Sequence, residues 1–168
     1  FLTALPKDIL VVLDEAYFEY VKSDDFPQST ALLKVYENVI VLRTFSKVYG
    51  LAGFRIGYGI GHPKMIALLH KVKQPFNINS LALKAAEIAL ENQDHVQKSV
   101  AVNELGKAYL YRALRAMDIN FTETEANFIY IDLGMSAQEC YEDLLVQGVI
   151  IRPLTFFGRP NAIRISIG

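Results

Sequence analysis

Two short runs of branched apolar residues, at 9–13 and 39–43, do most to limit what this chain can fold into. Neither alternates polar with apolar positions. Continuous Val, Ile and Leu over this length marks strands covered on both faces, as in a parallel sheet flanked by helices. Ligands of open α/β sheets gather outside the carboxyl ends of such strands. Here those ends carry chemistry: Asp14 and Tyr17 follow the first run, and Thr44, Ser46 and Lys47 follow the second. Residues 55–60 read as a further strand.

The rest of the chain divides by its breakers. His62-Pro63 opens a helix to about residue 73, because proline is tolerated in a first turn, and Gln74-Pro75 closes it. Residues 79–91 form an alanine- and leucine-rich helix. Residues 93–117 form a long one, with Leu110, Ala113, Leu114 and Met117 on one stripe. Short strands are expected at 119–122, 127–133, 149–152 and 162–167, with a helix from Ser136 to about Gln147 stopped by Gly148. Residues 22–28 read as a surface loop. The organisation is thus part of an α/β domain over 1–92, a helix able to bridge two lobes over 93–117, and a small α+β domain over 118–168.

Charge and cysteine content narrow the function. Seventeen Lys and Arg against eighteen Asp and Glu leave a net charge of -1, with no basic run to track nucleic acid or anionic lipid. No apolar stretch approaches the roughly 20 residues of a membrane span. Cys140 is the only cysteine, which rules out an internal disulfide and a cysteine-rich metal site and suits a reducing cytoplasm. His62, His70 and His95 lack metal-ligand spacing and read as helix-end or surface residues. Gly57, Gly59 and Gly61 follow the lysine segment without an acidic ribose partner, so they make no dinucleotide fingerprint. Small-molecule chemistry remains.

The segment Arg43-Thr44-Phe45-Ser46-Lys47-Val48-Tyr49-Gly50-Leu51-Ala52-Gly53-Phe54-Arg55-Ile56-Gly57-Tyr58-Gly59 sets hydroxyls, a lysine, glycines and an arginine behind an apolar strand. That combination suits a covalent cofactor anchor. A second cation nearby favours the uncharged lysine amine that traps a carbonyl, and hydroxyls with a planar guanidinium suit a phosphate. Taken singly, a lysine is usually a solvated cation, an aspartate a turn cap and a tyrosine an amphipathic filler. Their order along this chain favours chemistry. Glu15 is expected to serve local hydrogen bonding. Arg164 opens the apolar run 165–167, where burying a permanent charge demands an anion. Arg152 sits at another strand end, and Asn127 precedes a strand at Phe128.

These residues resemble the lysine signature of the fold-type I pyridoxal-phosphate enzymes, and the order hydroxyl, Lys, Gly-Leu-Ala-Gly, Arg, Gly-Tyr is similar to that of their aminotransferases. From Ile9 to Gly168 the chain resembles the second half of the histidinol-phosphate aminotransferases, through Asp14-Glu15-Ala16-Tyr17, the lysine loop, Asn127-Phe128, Arg152-Pro153-Leu154 and Arg164-Ile165-Ser166-Ile167-Gly168. The fold this implies is α/β: part of a three-layer, mainly parallel-sheet large domain plus a small α+β C-terminal domain.

The resemblance also implies roles. Lys47 would form a Schiff base with pyridoxal 5'-phosphate and shuttle a proton. Asp14 would face the pyridine nitrogen, Tyr17 the ring oxygen, and Thr44, Ser46 and Arg55 the phosphate. Arg164 would grip the substrate carboxylate with Asn127 nearby, and Arg152 would lie on the substrate's phosphate side. The implied reaction is transamination between histidinol phosphate and 2-oxoglutarate in histidine biosynthesis, by a cytoplasmic homodimer. An aromatic aminotransferase or threonine-phosphate decarboxylase of the same fold would share Lys47, Asp14 and Arg55. A pyridoxal-phosphate-binding sensor domain of a transcription regulator would share the lobe without turnover. The family's first half, with its substrate-gripping arm and phosphate loop, has no counterpart here, so the chain is expected to be a fragment that holds cofactor weakly.

Overall fold

The computed structural model describes residues 1–167, in two compact units, Phe1–Val96 and Gln97 onward. The first unit runs through a 3-10 turn (Leu2–Ala4), β1 (Val11–Asp14), a 3-10 turn (Phe18–Tyr20), α1 (Ser29–Leu32), β2 (Val39–Thr44), a 3-10 turn (Ala52–Phe54), β3 (Gly57–Gly61), α2 (Pro63–Val72) and α3 (Ser80–Glu91). β1 lies parallel to β2, from Val11 opposite Val39 to Asp14 opposite Leu42. β3 runs antiparallel to β2, from Ile40 opposite Gly61 to Thr44 opposite Gly57. The parallel pair puts the carboxyl ends of β1 and β2 side by side.

Coverage on both faces holds for β2 and not for β1. Val39 and Val41 are wholly buried in the central strand, whereas Val12 is 50% exposed and β1 alternates along its length. β1 is an edge strand, and its alternating burial shows one of its faces covered and the other left open. β3 also starts later than the sequence suggests. Arg55 adopts left-handed φ 53 and ψ 48 at the end of a 3-10 turn, which no strand accommodates.

Helix starts follow their caps. His62 Nδ1 accepts from the Lys64 N–H at 3.3 Å with Pro63 in the first turn, and Asn79 Oδ1 accepts from the Ala82 N–H at 2.9 Å. Ala82 and Ala86 of α3 are buried, and their small side chains let the helix settle against Phe45 and Ile56.

The second unit holds most of α4 (Gln93–Ala116), then β4 (Asn120–Thr122), β5 (Phe128–Asp132), α5 (Ala137–Val146), β6 (Arg152–Leu154), a 3-10 turn (Thr155–Phe157) and β7 (Arg159–Ser166). The division between the two units falls after Val96, within α4, and the remainder of that helix belongs to this unit. The sheet is antiparallel in the order β4-β5-β7-β6. Ile129, Ile131 and Ile163 turn inward on Leu114, Ala137, Ile151 and Ile167, with Cys140 at the edge of this core. Phe128, Tyr130 and Arg164 have the opposite strand parity.

The strand expected at 149–152 lies instead at Arg152–Leu154. The end of α5 uses up the earlier residues. Gly148 is left-handed at φ 81, its N–H donates to Leu145 O at 2.9 Å, and the Val149 N–H donates to Leu144 O at 2.9 Å. That pair of bonds is a Schellman closure, so Val149 caps a helix in spite of its β-branched side chain.

A Cβ added at Gly57 would lie 2.7 Å from Arg43 O, a backbone atom held in the β2–β3 ladder. Gly57→Ala is therefore expected to destabilise by about 1–3 kcal/mol. Gly53→Ala, which meets nothing within 4 Å, is expected to be near neutral. Urea unfolding midpoints at unchanged slope measure both.

Candidate active site

Beyond Thr44 the chain leaves β2, makes a twelve-residue excursion (45–56) and returns to β3. Its base is closed by the Phe45 N–H donating to Ile56 O at 3.2 Å, and its interior by Leu51 N–H to Phe45 O at 2.9 Å and Gly50 N–H to Lys47 O at 2.9 Å. Gly50 sits at φ 70, a conformation glycine adopts without strain. Phe45, Val48 and Ile56 are buried and hold the excursion down, while Ser46 and Lys47 stay partly exposed. His95 Nε2 donates to Val48 O at 3.0 Å, which fastens the turn next to the lysine.

The result is a cleft of about 360 Å³ lined by Asp14, Thr44, Ser46, Lys47 and Arg55, together with Ala16, Leu42, Arg43 and Ala52. Five of the residues singled out from sequence therefore meet in one place. Tyr17 joins them from the side, with Lys47 Nζ 5.1 Å from its ring centroid. A larger hollow of about 530 Å³ also touches Asp14, but Phe1, Leu2, Leu13, Phe26, Leu32 and Tyr36 line much of it and no lysine or arginine does. The smaller cleft is the one with chemistry.

Three of the polar groups there have a part of their capacity committed. Asp14 Oδ1 accepts from the Ala16 N–H at 3.1 Å, an Asx turn that steadies the carboxylate and leaves Oδ2 outside that bond. Thr44 Oγ1 accepts from the Ser46 N–H at 3.1 Å, so its own proton remains available to donate. Arg55 donates from Nη1 to Ala52 O at 2.8 Å, which fixes one edge of its fork. An amine, an acceptor carboxylate, two hydroxyls and a guanidinium make a donor set that fits an aldehyde bearing a ring nitrogen and a phosphate. Pyridoxal phosphate is such a group.

Beside the cleft, whose lining includes Arg43, lies a pair that sequence reasoning missed. Glu15 is 5% exposed, and its Oε2 accepts from Arg43 Nε and Nη2, each at 3.0 Å. The expected local role for Glu15 is thus replaced by a contact 28 residues away. The available signal was Arg43 itself, a permanent charge at the end of an apolar strand, as at Arg164. Burial works against the Arg43 cation, but hydrogen bonds to Glu15 and Tyr58 more than offset it and the guanidinium is held more firmly protonated than usual. Burial also lifts the Tyr49 phenol above its usual range, with the charge of Glu19 adding to the effect.

The other sequence-derived residues lie in the second unit. Arg152 and Arg164 are directly opposite each other on β6 and β7. Arg164 lies 4.9 Å over the Phe128 ring, and its Nε is buried with no hydrogen-bond partner. Like charges facing across a ladder repel unless an anion sits between them. Asn127 is one residue ahead of β5, its carbonyl accepting from the Ile167 N–H at 2.9 Å, and it has the parity of Ile129 and not that of Arg164. Among the described residues, no group of three or more His, Cys, Asp or Glu could hold a metal ion, and no helix is long and apolar enough to cross a membrane.

The sequence pattern of the aminotransferases of class I and II matches residues 2–168. The chain belongs to that family. It is 49% identical over 168 residues to histidinol-phosphate aminotransferase 1 of Nitrosococcus oceani, covering 100% of this chain and 45% of that protein. Against the histidinol-phosphate aminotransferase of Moorella thermoacetica it is 46% identical, covering 44% of it. The crystal structure of histidinol-phosphate aminotransferase from Sinorhizobium meliloti in complex with pyridoxal-5'-phosphate superposes with a TM-score of 0.87 at 31% identity, over 99% of this chain and 46% of that one. This aminotransferase chain therefore spans about half the length of its relatives.

Glu19, near the buried pair, is raised above the ordinary glutamate value of 4.5, chiefly by burial and partly by Glu15. The folded state then binds a proton more tightly than the unfolded chain, so this group's contribution to stability is complete below the unfolded value and is lost as pH rises through the folded one. Glu19→Gln is expected to melt above the parent at about pH 7, with the difference closing towards about pH 4. Thermal unfolding across that range measures it.

Proposed function

We propose that these residues belong to a pyridoxal-phosphate-dependent aminotransferase acting on histidinol phosphate and 2-oxoglutarate in histidine biosynthesis. The observation that carries this reading is the single cleft uniting Lys47, Asp14, Thr44, Ser46 and Arg55. Names of relatives at 46–49% identity support the substrate. A homodimer in the cytoplasm is part of the same reading and rests on the family alone.

Bound in the cleft, the cofactor supplies a protonated ring that draws electrons from the substrate's α-carbon. The chain's residues divide the remaining work. Lys47 Nζ would bond the aldehyde carbon and, once a substrate amine displaces it there, would be free to take and return the α-carbon proton as base and acid. Asp14 Oδ2 holds the proton on the ring nitrogen, and the Tyr17 phenol donates to the ring oxygen. Arg55 and the hydroxyls of Thr44 and Ser46 hold the phosphate, with the guanidinium giving directional bonds that an ammonium could not. Arg164 offers a two-pronged grip to the carboxylate of 2-oxoglutarate, Asn127 assists there, and Arg152 takes the phosphate of histidinol phosphate. An anion drawn to that pair of arginines would relieve their cross-strand repulsion and give Arg164 Nε the acceptor it lacks.

In the complete protein, Lys47→Ala is expected to abolish turnover and the label that borohydride fixes to residue 47, read by peptide mapping. A label on another side chain would sink the assignment. Arg164→Lys is expected to raise KM for 2-oxoglutarate, the partner that carries a carboxylate, with a smaller change in kcat, because a point charge replaces a fork. Steady-state kinetics with 2-oxoglutarate varied against histidinol phosphate, phenylalanine and threonine phosphate side by side tests that effect and the amino donor together.

A further inference from the structure

Arg43 is tied to three elements at once. Its Nε and Nη2 donate to Glu15 Oε2, its guanidinium carbon lies 3.5 Å from the Phe18 ring centroid, and its backbone stands directly opposite Tyr58 in the β2–β3 ladder. Two of the three ties fall beside a cleft residue in the chain, and so does Arg43 itself. Glu15 follows Asp14, Phe18 follows Tyr17, and Arg43 itself precedes Thr44. The Glu15 N–H donates to Leu42 O at 2.8 Å, so the β1–β2 ladder extends past the last residue of β1 and carries the pair with it.

The side chains are 14% exposed for Arg43 and 4% for Glu15, and Glu15 Oε1 is buried with no hydrogen-bond partner. Such a pair is a poor source of net stability, because desolvation cancels much of its attraction. Its strength is geometric, since a guanidinium gripping one carboxylate oxygen with two donors tolerates little rotation. The pair is also spent: the charge of Arg43 faces Glu15 and the Phe18 ring, which leaves Arg55 to meet a phosphate.

We infer that the Arg43–Glu15 pair is a positioning device for the cleft, setting the spacing of Asp14, Tyr17 and Lys47 while its own charges are turned on each other. The inference rests on the cleft being a pyridoxal-phosphate site. Asp14 and Lys47 act on opposite ends of one rigid ring, so an error in the spacing of β1 and the lysine turn appears directly as a misfit. Geometry of this kind is sensitive, as a displacement of about 1 Å costs on the order of a hundredfold in rate.

The test uses the complete protein, titrated with pyridoxal phosphate and followed by visible absorbance. Glu15→Gln and Arg43→Lys preserve shape and weaken the pair. Each is expected to loosen cofactor binding by about tenfold and to move the absorbance maximum of the bound cofactor. The double variant is expected to cost no more than the worse single one, as members of one unit do. Val39→Ala, in the same strand at the end away from the cleft and wholly buried, should lower the melting temperature without moving the maximum. If Glu15→Gln does not fold by circular dichroism, Arg43→Lys, which keeps the charge, decides. Folded variants with the parent's affinity and absorbance maximum would overturn the inference alone. A parent protein that takes up no cofactor would overturn the reading of the cleft, and the inference with it.

Discussion

The parallel register of β1 on β2 is the constraint from which the site follows. Because Asp14 stands opposite Leu42, an acid from residue 14 and the start of the lysine excursion arrive at the same end of one sheet. An antiparallel pairing would send them to opposite ends. The buried charge pair of Glu15 and Arg43 sits one residue beyond that register and spans the same two strands. Ladder and ion pair thus act on the same distance, one through backbone and one through side chains.

The lysine itself is held by what surrounds it. Phe45 and Val48 on either side are buried, and the backbone bonds at Phe45, Lys47 and Val48 leave the excursion little freedom. The small side chains of Ala82 and Ala86 make room for Phe45 and Ile56 against α3. Pinning apolar neighbours while leaving Ser46 and Lys47 towards the cleft separates the groups that supply rigidity from those that supply chemistry. Arg55 lies at the other limit, in a left-handed conformation costly for a side-chain residue, where the 3-10 turn ends and its guanidinium reaches the cleft.

The second unit solves a different problem. Its sheet turns isoleucines to one face and arginines to the other, so the core and the charged surface are two sides of the same strands. Arg164 is held over Phe128 with a buried, unpartnered Nε, an arrangement that leaves donor capacity for an anion.

Most elements were legible because their signals are local. Continuous apolar runs, a proline in a first turn, an asparagine cap and a glycine stop each act over a few residues, and β2, α2, α3 and α5 lie close to where those signals place them. The lysine, the aspartate and the arginine of the cleft were legible through their order along the chain. What failed depended on partners distant in sequence or on competition between neighbours. Val149 joined a helix cap and not a strand, because Gly148 and two free carbonyls outbid its propensity. β1 stayed half exposed because burial on both faces needs a neighbour, which a strand cannot specify by itself. By itself the chain's sequence determined which groups could do chemistry, since amine, carboxylate and guanidinium are properties of residues. Only the tertiary structure decided that Glu15 would meet Arg43 and that two arginines would face each other across a ladder, because register and burial arise from packing between segments far apart in the chain.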